Sequence, residues 1–189
     1  MEPHWMALAA LRTLTVLVYD YAGVSDASVD EMERVGTVLL SRAGIETQWV
    51  HCRGHQQGGQ PALCGASLDT ASVRLRILMV YPGDRTGRLD PLGMALVGGN
   101  YASIYAFMIH KYAAHNRLPA GNLMAYAATH EFGHLLLGPN HSPSGIMRAS
   151  WGRTEYRAMA QHLLDFSDAE RQALQRAVPA TDQRLARLR

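Results

Sequence analysis

Residues 13–51 read TLTVLVYDYAGVSDASVDEMERVGTVLLSRAGIETQWVH, and their patterning sets the fold class. Thr13 to Tyr19 (TLTVLVY) is β-branched and alternating, which marks a strand. Ser28 and Glu31 then stand at capping-box spacing, and Val29, Met32, Gly36, Leu39 and Ala43 recur at helical intervals up to Gly44. Ile45 to His51 returns to a strand pattern. Strand, helix and strand in this order predict two parallel strands with a helix packed on their sheet.

Val73 to Tyr81 reads as a third strand, stopped by Pro82-Gly83. Two shorter strands are expected at Gly93 to Val97 and Ala102 to Phe107, broken by Gly98-Gly99-Asn100. So short a Gly/Asn break favours a hairpin-like reversal, so one of the two should run antiparallel to the rest. A second helix is expected from about Asn122, behind Pro119 and Gly121, to Leu137; it is apolar nearly all round and therefore buried. Ser167-Asp168-Ala169-Glu170 is another capping box, opening a helix that ends near Val178 before Pro179. Part of 147–166 is expected to be helical. The expected class is α/β: a mixed, mostly parallel sheet with an antiparallel edge strand, a backing helix, a buried second helix, and a small irregular or helical C-terminal part. One domain is expected over 1–189, with subdomains of about 1–138 and 139–189.

Composition excludes several classes. Hydrophobic residues make up 48% and charged residues 18%, which suits a packed core and argues against disorder. A formal net charge of +2 leaves no nucleic-acid footprint; Arg184, Arg187 and Arg189, alternating with Leu185 and Leu188, read as a solvated helix end. No apolar run is long enough to span a bilayer. The segment Trp5 to Val18 contains Arg12 and lacks both a basic leader region and a small-residue cleavage site, so it does not read as a signal peptide. The two cysteines, Cys52 and Cys64, bracket a Gly/Gln-rich loop. A disulfide is the favoured state, which implies an extracytoplasmic or secreted setting. Reduced thiols, or a metal site made with His55, are the alternatives.

The chemistry concentrates in His130-Glu131-Phe132-Gly133-His134, near the end of the buried helix. Histidines four apart lie on one helical face and can reach one metal ion, while the intervening glutamate is turned toward a water beside it. Gly138-Pro139 stops the helix, His141 follows, and Ser144-Gly145-Ile146-Met147 comes just behind. Three neutral imidazoles leave a fourth zinc position open. Burying such polar groups in an apolar helix is unfavourable unless something pairs with them, and a metal ion would. The other histidines (His4, His51, His55, His110, His115, His162) have no ligand spacing.

These residues resemble the metzincin clan of zinc metallopeptidases, whose long motif ends in a third histidine above a methionine-bearing turn. The motif similarity covers about residues 130–147; beyond it only the order of elements agrees. The resemblance implies that His130, His134 and His141 bind Zn²⁺, that Glu131 is the catalytic base and that Met147 is the turn methionine. It implies further that the chain hydrolyses peptide or protein substrates as an endopeptidase, with the strand at Gly93 to Val97 as the upper edge of its cleft. A monomer is expected. Two departures stand out. Three residues, Leu135, Leu136 and Leu137, separate His134 from Gly138 where the clan has two, which turns the helix exit by about 100°. Arg148 follows Met147 where the clan often has tyrosine. Two alternatives remain open: Glu155 as third ligand in place of His141, and a zinc-binding or interaction domain without turnover.

Overall fold

The computed structural model describes residues 12–52, 64–65, 71–82 and 91–180. The amino-terminal part of the Trp5 to Val18 segment, most of the Cys52–Cys64 loop with His55, and the arginines at 184, 187 and 189 lie outside the described residues.

Five strands form one sheet: β1 (Thr13–Asp20), β2 (Glu46–His51), β3 (Ser72–Leu78), β4 (Gly93–Ala95) and β5 (Tyr101–Tyr105), in the order β2-β1-β3-β5-β4. β1 runs parallel to β2 with Thr13 opposite Glu46, and parallel to β3 with Thr15 opposite Ser72. β3 and β5 are also parallel. Among the described strands only the edge strand β4 is antiparallel, with Met94 opposite Ser103. The mixed sheet with an antiparallel edge is therefore the fold.

Helix α1 (Asp26–Arg42) crosses over between β1 and β2. Its cap differs from the expected one: Ser25, not Ser28, is the N-cap and accepts from the Ser28 N–H. The preceding turn explains the earlier start, because the Asp20 carboxylate accepts the N–H groups of Ala22, Gly23 and Val24 and turns the chain there. Leu14, Val16 and Val18 alternate along β1 onto one face, where Val73, Leu75, Ile77, Ala102 and Ile104 join them. Val29, Met32, Val35 and Leu39 of α1 share that core with Leu123, Met124 and Phe132 of the buried helix.

Helix α2 (Ala106–Asn116) follows β5 directly. It differs from the expected strand to Phe107, which ends instead at Tyr105. No side chain caps its start, so the sequence carries no marker of the change. Helix α3 (Ala120–Leu137) begins two residues earlier than Asn122 and buries nearly every position from Gly121 to His134. Its first turn approaches α1 so closely that a Cβ on Gly121 would lie 2.6 Å from the Ser28 carbonyl oxygen. Helices α4 (Arg153–Ala160) and α5 (Asp168–Ala177) complete the described chain, and α5 starts at the expected Ser167 capping box. Among the described residues no helix is long and apolar enough to cross a membrane. Cys52 and Cys64 form a disulfide at the β2 edge, the edge opposite β4.

Candidate metal centre

The last two turns of α3 bring His130, Glu131 and His134 to the floor of a cleft of about 490 Å³. The helix runs unbroken through the additional leucine and ends at Gly138, whose φ of 98° is open to glycine and strained for other residues. That exit re-aims the chain. His141 Nε2 comes to 3.2 Å from His134 Nε2, which is itself 3.0 Å from His130 Nε2.

The tautomers follow from the outer nitrogens. His130 Nδ1 lies 2.7 Å from the Ile146 carbonyl oxygen, and His134 Nδ1 lies 3.0 Å from that of Gly138. A carbonyl oxygen only accepts, so each Nδ1 carries the hydrogen and each Nε2 presents a lone pair. Lone pairs converging at such distances repel unless a cation sits between them. Tetrahedral zinc with nitrogen ligands at about 2.0–2.1 Å needs nitrogens roughly 3.3 Å apart, and the spacing fits. The three residues are thus a group that could hold a metal ion. Burial pushes the His130 imidazole down to about 4, against the pull of the Ile146 carbonyl and with the help of His134 and His141. Burial, then His134, also lowers His141. Both effects keep the rings neutral, as ligation requires.

Glu131 is 6% exposed and burial pushes its carboxyl up to about 8. It faces β4: a Cβ on Gly93 would lie 2.7 Å from Glu131 Cγ and 2.9 Å from the Ser103 carbonyl oxygen. Glycine at 93 is what lets the edge strand pass over the glutamate.

Met147 packs against α3 at Gly133, between His130 and His134 in the sequence. A Cβ on Gly133 would collide with Met147 Sδ, so the fourth residue of His-Glu-Phe-Gly-His has no room for a side chain. The turn that carries Met147 is fixed at Gly145, with φ of 76° and the Asp165 carbonyl oxygen 2.6 Å from where its Cβ would be. Ile146 N–H donates to that same oxygen at 3.1 Å, and Ser142 N–H donates to the Met147 carbonyl oxygen at 2.8 Å.

Glu155 is elsewhere. One oxygen accepts the Gly152 N–H at 2.7 Å, capping α4, and the other accepts Arg148 Nη1 at 2.5 Å. Both oxygens are engaged, which leaves His141 as the third nitrogen of the cluster. Ser142 and Glu170 form a pair with no local sequence signal: the Ser142 hydroxyl donates to Glu170 Oε1, while Glu170 Oε2 accepts the Ser167 N–H. The Ser167 capping box was legible, but not that its glutamate reaches the loop beside His141.

No protein-family model matches the chain, and no curated protein sequence matches it. Solved structures do. Archaemetzincin from Methanopyrus kandleri superposes with a TM-score of 0.53 at 16% identity, over 87% of this chain and 95% of that one. A zinc-dependent peptidase from Methanocorpusculum labreanum gives 0.50 at 14%, over 85% and 99% respectively. Metalloproteinase-II from Bacteroides fragilis gives 0.51 at 13%, over 90% of this chain and 55% of that one. At such identities the likeness is one of fold. The chain has the fold of these zinc metallopeptidases.

Proposed function

We propose that the chain is a zinc-dependent endopeptidase of the metzincin type, with His130, His134 and His141 as ligands and Glu131 as general base. The observation that carries this reading is the convergence of three Nε2 atoms beside the buried Glu131 carboxyl, in a cleft lined also by β4, an edge strand among the described residues. Zinc, when bound, supplies the Lewis acidity that makes water nucleophilic at neutral pH and polarises the scissile carbonyl. The Nδ1–H bonds from His130 to Ile146 and from His134 to Gly138 hold both rings in the orientation and tautomer that ligation needs. Glu131 takes the proton from the attacking water on a carboxylate oxygen and delivers it to the leaving amine. Its burial raises its proton affinity toward neutrality, which suits a group that accepts and then releases. Among the described residues β4 is bonded to β5 on one side only, and its outer edge would offer main-chain groups to an extended peptide. Met147 takes the role of the turn methionine, supporting the helix between its two histidines. The Cys52–Cys64 disulfide supports an extracytoplasmic setting.

The test combines metal analysis with turnover. Purified protein should hold about one zinc per chain and cleave members of a peptide library. Glu131→Gln keeps shape and zinc but cannot take the proton, so cleavage should fall by orders of magnitude. Unchanged turnover in that variant would remove Glu131 as base. Zinc without any cleavage by the wild type would favour a binding domain.

A further inference from the structure

The cleft contains a cation that the proposed hydrolysis does not use. Arg148 is the one lysine or arginine among the described residues that line it. Its position is fixed at both ends. The backbone lies in a bridge with Ser142, the residue after His141, and the Arg148 N–H donates to the Gly145 carbonyl oxygen at 3.3 Å. At the far end Nη1 donates to Glu155 at 2.5 Å, and Glu155 is itself held by the Gly152 N–H. The Glu155 side chain is 10% exposed, whereas that of Arg148 is 42% exposed. The carboxylate is thus the buried anchor, and the partly exposed Arg148 side chain belongs to a residue that lines the cleft.

A half-exposed ion pair of this kind contributes little to stability, so stability gives weak reason for its build. Its chemistry is better suited to recognition. A guanidinium with one nitrogen spent on its anchor keeps its other donors in a fixed plane, the geometry that pairs with a carboxylate. Trp151 and Tyr156 line the same cleft, and their rings lower the local polarity, which strengthens a charge-assisted bond made there. Glu131 is the one acidic residue among the described lining residues, so little else repels an anion.

We infer that Arg148, held by Glu155, is a specificity-determining residue that binds a carboxylate of the peptide substrate. The inference rests on the peptidase reading and names the substrate class: peptides with Asp or Glu close to the bond cut, or with a free C-terminus there.

The test is a binding measurement on zinc-loaded Glu131→Gln protein, so that nothing is consumed. Fluorescent peptides that differ only in Glu against Gln, all with amidated C-termini, are titrated by anisotropy. A second pair of neutral sequence differs only in a free or amidated C-terminus and separates the two sources of carboxylate. One of the pairs should show about tenfold tighter binding of its acidic member, the value of one charge-assisted bond. In Arg148→Gln the ratio should fall to about one, with zinc content retained. Arg148→Lys, which keeps the charge but not the fork, should keep only part of it. Equal affinities within both pairs, or a preference that survives Arg148→Gln, would overturn the assignment. Wild-type turnover reports separately on the underlying reading. Cleavage without acidic preference removes Arg148's role and leaves the peptidase, whereas acidic preference in a protein that cleaves nothing does the reverse.

Discussion

Met147 Sδ occupies the space that a Cβ on Gly133 would need, so the turn that carries Met147 packs closely on the helix that carries His130 and His134 where residue 133 has no Cβ. Gly133→Ala should therefore behave as overpacking and destabilise by about 1–3 kcal/mol. Met147→Ala leaves a cavity in the same place and should destabilise by about 2–5 kcal/mol. Combining the two relieves the clash, so the double variant should be more stable than the sum of the single losses predicts. Urea unfolding of the four proteins decides it. Strict additivity would mean the two residues do not meet.

Zinc affinity should separate His141 from Glu155. Removing one of the three proposed nitrogen ligands should weaken binding far more than removing a residue that only caps α4 and holds Arg148. Competition against a chelator should show a large loss for His141→Ala and near wild-type affinity for Glu155→Ala. The reverse ranking would show that His141 is not a ligand.

What the sequence revealed here follows a physical boundary. The strand–helix–strand opening was legible because Leu14, Val16 and Val18 alternate while Val29, Met32 and Leu39 recur at helical spacing, and both patterns are local. The cap of α1 was misplaced because Ser28-x-x-Glu31 matches a local pattern, whereas the true start is set by Asp20 folding back on residues 22–24. Helix α2 was missed for a related reason: Tyr105 is both the last residue of β5 and the N-cap, with no side-chain bond to mark the switch. At the candidate site the histidines and Glu131 announce themselves by spacing. Gly93 over Glu131, and Glu170 on Ser142, do not, because each joins segments far apart in sequence.

The disulfide should stabilise the β2 edge without touching the metal centre. In the chain-entropy model, closing the short loop between Cys52 and Cys64 is worth about 3 kcal/mol. Cys52→Ser with Cys64→Ser should lower the urea midpoint accordingly. Zinc affinity should not change, because β2 and β4 are opposite edges of the sheet. Intact-mass measurement before and after reduction, with alkylation, checks the bond itself. Free thiols in unreduced native protein would remove the support for an extracytoplasmic setting.

The hydroxyl of Ser142 should matter to zinc although it touches no metal-facing nitrogen. Ser142 follows His141, its N–H is held by Met147, and its hydroxyl donates to Glu170 on α5. Glu170 is only 9% exposed and spends its other oxygen on the Ser167 N–H, so its position is set by the helix cap. The last helix thus anchors the loop that delivers the third imidazole. Partners that orient a ligand typically contribute 10–100-fold to affinity when removed. Ser142→Ala should therefore weaken zinc binding by about tenfold while leaving the cap of α5 intact. Glu170→Gln should weaken zinc binding similarly and also destabilise α5 by about 1 kcal/mol, since the capping bond loses its charge. A tryptophan-monitored urea titration and a chelator competition, run on both variants, separate the two effects. If Ser142→Ala binds zinc as tightly as wild type, the Gly138 exit alone positions His141 and the anchor to α5 is irrelevant to the metal.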